Sequence, residues 1–359
     1  MQRTHLTSKL FIPILLLSFL TFGFSFDRFV VTKSVGVNTY LIILIGLLIT
    51  IAVLFMIRSL AVKYPDQSII ALGNKLLGPF GKIGTPVWLM IVFLLTALLA
   101  RRVTDEVSTI ILFRTPELIS TLAFLFLVCY MALLGEEALG RLSSAMMVML
   151  PVFLLLLFMS FRQVIFLNIH PVSIYRNLGY LRKWELWLII FTPIWILSSF
   201  NGNESMRNNF KTVILTITGG ALVLGATSLA IAGAFGPKGI DRYEWPVMSL
   251  LSVTELAPSY FFQNFALGAY FFIFLPFSLV TVAAFLIVLS KGLNEFLKLK
   301  NKQSKLILLL VMVCLFIVLI ISTQIQFKQT AYPLLIVGSL YTFGYILLIW
   351  FSSCLRRRD

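Results

Sequence analysis

Two short stretches concentrate the polar chemistry of this chain. ARRVTDEV, residues 100–107, sets Arg101 four positions before Asp105 and Arg102 four positions before Glu106. On a helix these spacings share a face, so each base can neutralise its own acid. Such pairs steady a helix end that projects past the lipid, and at membrane depth they serve as gates or coupling charges. SSFNGNESMRNNF, residues 198–210, brings Ser198, Ser199, Asn201, Gly202 and Glu204 directly after an apolar run. Its hydroxyls, amides and carboxylate can hold a small polar ligand, and Glu204 can meet an ammonium group or a proton. An ordinary solvated loop has the same composition. A third group is LSFLTFGFSFDR, residues 17–28, where Thr21, Gly23, Phe24 and Ser25 precede Asp27 and Arg28. Gly23 offers the chain freedom to unwind.

The surroundings of these stretches are apolar. Of 359 residues, 59% are hydrophobic and 12% charged, and mean hydropathy is +0.98. A soluble domain carries about 25% charge, so the chain reads as an integral membrane protein. The net charge of +15 comes from bases clustered at helix ends, which suits topology and anionic lipid rather than nucleic acid. Cys129, Cys314 and Cys354 are too few and too scattered for a metal set or a disulfide framework. His5 and His170 stand far apart, and no Walker A, HExxH or GxSxG motif is present. These features argue against an enzyme, a metal site and a cofactor.

Ten apolar runs of spanning length follow one another: about 9–31, 36–60, 84–111, 117–135, 142–162, 186–205, 211–235, 259–290, 305–324 and 331–354. The whole chain, 1–359, reads as one transmembrane domain. Residues 163–185 and 236–258 are its longest connections and read as outer loops with short helices, anchored by Trp184, Trp187, Tyr243 and Trp245. With both termini inside, 17 of the 29 basic residues fall on the cytoplasmic side. GEEALGR, 135–141, pairs Glu137 with Arg141 in an inner loop.

The first and sixth runs are weak. LWLIIFTPIWILSSF, 186–200, reaches about 22 Å as a helix, short of the ~30 Å hydrocarbon core, and Pro193 removes a backbone donor. The chain would finish the crossing with SSFNGNES. The first run is interrupted by Thr21, Gly23 and Ser25. The expectation is an all-α polytopic protein of ten transmembrane helices, with the first and sixth broken. Their separation by five makes a five-plus-five inverted repeat, about 9–162 and 186–324 with 331–354 as the last helix. That is the plan of many secondary transporters, whose broken helices form a midplane ligand site.

Four stretches resemble a known family. KYPDQSIIALGNKLLGPFGK, 63–82, RTPELI, 114–119, CYMALLGEEALGR, 129–141, and YEWPVMSLLSVTEL, 243–256, are similar, in register, to segments of the spore germination receptor B subunits. The resemblance implies the five-plus-five (LeuT-like) fold of the amino acid–polyamine–organocation superfamily. It implies a spore inner-membrane receptor subunit that binds a small germinant, often an amino acid, and signals to A-type and C-type subunits. FGFSFDR departs from the family pattern at Phe24 and Arg28. An H⁺- or Na⁺-coupled amino acid permease is the other function such a fold serves, and a non-binding assembly scaffold is a third.

Overall fold

The computed structural model describes residues 8–27, 39–65, 67–112, 114–165, 168, 192–198, 206–239, 243, 245–253, 260–298, 303–320 and 324–355. Everything regular among them is helical. The α-helices are α1 (Ser8–Asp27), α2 (Thr39–Lys63), α3 (Ile69–Leu76), α4 (Pro79–Ile110), α5 (Glu117–Leu134), α6 (Glu136–Met146), α7 (Leu150–Ser160), α8 (Phe210–Gly239), α9 (Pro246–Val253), α10 (Tyr260–Phe296), α11 (Gln303–Ile320) and α12 (Gln324–Leu355). Residues 192–198 form a 3₁₀ helix. Eight helical segments among the described residues are long and apolar enough to cross a membrane. They correspond to eight of the ten apolar runs. The ninth run is α11, 18 residues long, and the sixth is described only over 192–198.

Local signals explain several boundaries. Ser68 caps α3, its hydroxyl accepting from the Ala71 amide at 3.1 Å. Gly78, at φ 59°, turns the chain into α4, and Pro79 follows at the first helical position. Met147–Met149 tighten to 3₁₀ geometry between α6 and α7, just ahead of Pro151 in the fifth crossing.

The expected break in the first helix is absent. α1 winds without interruption through Gly23, and its 20 residues reach about 30 Å, enough for the hydrocarbon core alone. Gly23 serves packing instead. A Cβ built there would lie 2.5 Å from a Leu224 methyl of α8, so the missing side chain lets two helices meet. A glycine in a helix costs only about 1 kcal/mol against alanine, and close interhelical packing offsets that in a membrane. The sixth run does depart from α winding. Seven residues of 3₁₀ helix, with Pro193 second, exceed the three or four usual for that geometry.

Burial sorts the helices into layers. In their apolar windows α10 is 78% buried, α1 67% and α4 61%, whereas α5 is 39% and the α6–α7 crossing 22%. α1 therefore sits inside, packed against α6, α8, α10 and the 192–198 turn, while α4 and α10 pack on each other as a central frame. α2 packs on α8, and α5 on α11. The exposed side chains of the outer helices, such as Phe126, Phe158, Leu215 and Met312, are what a lipid-facing surface requires.

Candidate functional site

The interior polarity collects on α1 and at the C-terminal end of α4. Ser18, Thr21 and Ser25 are all buried, and their hydroxyls have no hydrogen-bond partner among the described residues. Their spacing, i, i+3 and i+7, puts them on one face. Phe19 and Gly23 meet Gly220 and Leu224 of α8, Phe22 tilts against Phe285 of α10 at 6.5 Å, and Leu10 abuts Gly140 of α6. Phe24, half-buried, lies 5.2 Å from the Phe153 ring of α7. The buried hydroxyl of Ser278 on α10, by contrast, donates to the Phe274 carbonyl, and that of Thr281 to Phe277. An unpaired buried hydroxyl costs about 1–3 kcal/mol, so these three carry polarity that no described residue answers.

The charged cluster stands at the C-terminal end of the same helix. α4 has 32 residues and is about 48 Å long, so it outruns the hydrocarbon core as its sequence suggested. Its last turns are nevertheless covered by protein. Arg101, Arg102 and Glu106 are only 3%, 2% and 3% exposed. Arg102 donates from Nε to the backbone carbonyl of Ser25 at 3.2 Å. Its guanidinium carbon lies 3.4 Å from the ring centroid of Trp245. Glu106 attracts Arg102 and accepts a hydrogen bond from the Tyr270 hydroxyl of α10. Arg101 pairs with Asp105 at 3.8 Å and also with Glu117 at the start of α5. A buried charge is tolerable only when paired in this way.

Residues 5–330 match the family model described as spore germination protein. The chain belongs to that family. The match spans nearly the whole chain and, with the apolar helices, makes this spore germination protein a multi-pass membrane protein. No curated protein matches the chain.

The structure of this family member brings together Thr21, Gly23 and Phe24 on α1 and sets Arg102 and Glu106 beyond the end of that helix. Gly23 and Phe24 point away from the hydroxyl face, toward α8 and α7. Ser198 ends the 3₁₀ turn that packs on α1. Ser199, Asn201, Gly202 and Glu204 lie outside the described residues, as do Trp184 and Trp187. Trp245 is more than the interfacial anchor its position suggested, since its ring covers Arg102. Glu137 and Arg141 pair at 2.6 Å on the surface as expected, and Glu136 adds a pair with Lys291 that spacing could not reveal.

Ser18, Glu117, Tyr270 and the role of Trp245 escaped the sequence reading. The Ser18, Thr21, Ser25 spacing was legible. Tyr270 was hidden among the many rings of α10, and Glu117 is separated from Arg101 by a turn. A cleft of about 500 Å³ between α4, α11 and α12 is lined by Leu94, Leu98, Ile317, Pro333 and Leu334 among others. None of its lining residues is charged or belongs to α1.

Proposed function

We propose that this protein is the membrane subunit of a nutrient germinant receptor, holding a small germinant of amino acid type against α1 and passing its binding to partner subunits of A and C type. The observation that carries the reading is the row of buried hydroxyls at Ser18, Thr21 and Ser25 that have no partner among the described residues. They offer donors and acceptors to a ligand at membrane depth, and the 3₁₀ turn at 192–198 lies against the same helix. Ser199, Asn201, Gly202 and Glu204 follow that turn in the chain and remain the expected second half of the site. Spore inner membrane, with both termini cytoplasmic, is the location that fits the family and the charge bias.

The architecture proposed is ten helices in two inverted units of five, without a break in the first. The order long helix, eight-residue helix, long helix occurs twice, as α2–α3–α4 and as α8–α9–α10. Four elements pack on their counterparts: α1 on the 192–198 turn, α2 on α8, α4 on α10, α5 on α11. A two-fold axis in the membrane plane produces such self-pairing.

The test is ligand binding to the purified chain in nanodiscs, read as a thermal shift over a panel of amino acids. Thr21→Val keeps the shape and removes one hydroxyl. It is expected to leave the ligand-free stability unchanged or slightly raised and to weaken binding on the order of tenfold. Equal affinity in wild type, Thr21→Val and Ser18→Ala would dismiss the site.

Transport of the same ligand is the second reading. In that reading α1 would have to part from the close seams where Leu10 meets Gly140 and Phe19 meets Gly220. Uptake of labelled amino acid into liposomes, driven by an H⁺ or Na⁺ gradient, separates a permease from a receptor.

A further inference from the structure

Resting on the reading of α1 as the ligand wall, we propose that Arg102 is a latch joining the Trp245 segment to the end of α1, so that neither can move away without releasing the other. The Ser25 carbonyl belongs to the last turn of α1 (Ser8–Asp27), where the final four carbonyls lack intrahelical donors and carry the negative end of the helix dipole. Arg102 supplies the missing donor from another helix. The same guanidinium presents its face to Trp245, the residue that leads into α9 (Pro246–Val253).

A planar cation can bond in its plane and stack on its face at once, which a lysine ammonium cannot. Glu106 attracts that cation from α4, and the Tyr270 hydroxyl of α10 donates to Glu106. The frame thus fixes one group on which two separate segments converge. α9 itself packs against α7, α8 and α10, so the Trp245–Arg102 stack is the described side-chain contact by which this segment reaches the charge cluster. Water reaching the cluster would weaken both contacts together, because each gains its strength from exclusion of solvent.

Arg102 is here a positioning residue, and two contacts through one group make a reciprocal prediction. Hydrogen exchange of the ligand-free chain in nanodiscs measures it. Trp245→Leu keeps apolar bulk but removes the ring face. It is expected to speed exchange on the order of tenfold in peptides covering 20–27 as well as in 245–253. Arg102→Lys keeps the charge and is expected to speed exchange in both segments likewise. Glu137→Gln, at the exposed surface pair, is the control and should change neither.

Faster exchange confined to the segment that carries the substitution would overturn the latch. Should Arg102→Lys fail to fold, Trp245→Leu decides alone through residues 20–27. Because no ligand is present, a latch that fails leaves the binding result at Thr21 standing, and a failed binding screen leaves the exchange result standing.

Discussion

Arg102 and Thr21 are both buried, and they differ in what answers their polarity. Arg102 is met by a carbonyl, a carboxylate and an aromatic face, whereas the Thr21 hydroxyl meets nothing among the described residues. The first arrangement holds elements together, and the second is the one to which the proposed ligand would bind. Removing one member of the charged cluster should therefore be costly. Glu106→Gln is expected to lower stability by about 3–5 kcal/mol, because it strands the Arg102 charge. Replacing both as Arg102→Met with Glu106→Leu should recover most of that loss in a double-mutant cycle of unfolding temperatures. Tyr270→Phe, which removes a hydrogen bond to a charged group, should cost about 1.5–3 kcal/mol. Additive losses in the double variant would mean that Arg102 and Glu106 do not stabilise each other. The Arg102–Glu106 relation was legible from a spacing of four. The Ser25 carbonyl was not, since a backbone group leaves no mark on the sequence.

At the scale of elements, glycine had two readings, and space decided between them. In α1, Gly23 promised an unwound stretch, but α8 comes close enough that the missing Cβ is used for contact. The short helix α3 repeats the lesson. A Cβ on Gly73 would fall 1.9 Å from the Tyr345 hydroxyl of α12, and that hydroxyl lies 2.9 Å from Thr85 of α4. Gly73→Ala is thus expected to destabilise by about 1–3 kcal/mol. Tyr345→Phe in the same chain should return part of it, as melting curves of the single and double variants would reveal. Gly81→Ala offers no such relief, because its Cβ would meet the Gly73 carbonyl at 2.1 Å. If Tyr345→Phe gives no rescue, the hydroxyl is not what excludes a side chain at Gly73. In the sixth run the break expected in SSFNGNES lies, past Ser198, outside the described residues, and the 3₁₀ winding of 192–198 comes earlier, around Pro193, which has no backbone donor.

For the whole molecule, the proposed inverted plan sets α3 and α9 on opposite faces, because five crossings separate them. In a chain whose native cysteines are replaced, Lys75→Cys should react with a membrane-impermeant thiol reagent only from the cytoplasmic side, and Ser249→Cys only from the other. A chain that keeps the exposed Cys354 as its single cysteine should label from the same side as Lys75→Cys. Labelling of both short helices from one side would exclude the inversion.

Composition and hydropathy alone determined that this chain is a helical membrane protein, because the bilayer admits few ways of satisfying a backbone. Local spacing also determined which acids and bases could pair along α4. Only tertiary packing decided that α1 runs unbroken, that α4's charges are covered by protein, and that Trp245 lies on Arg102. Those outcomes depend on which helices approach within contact distance, a relation between residues far apart in the chain that no window of sequence contains.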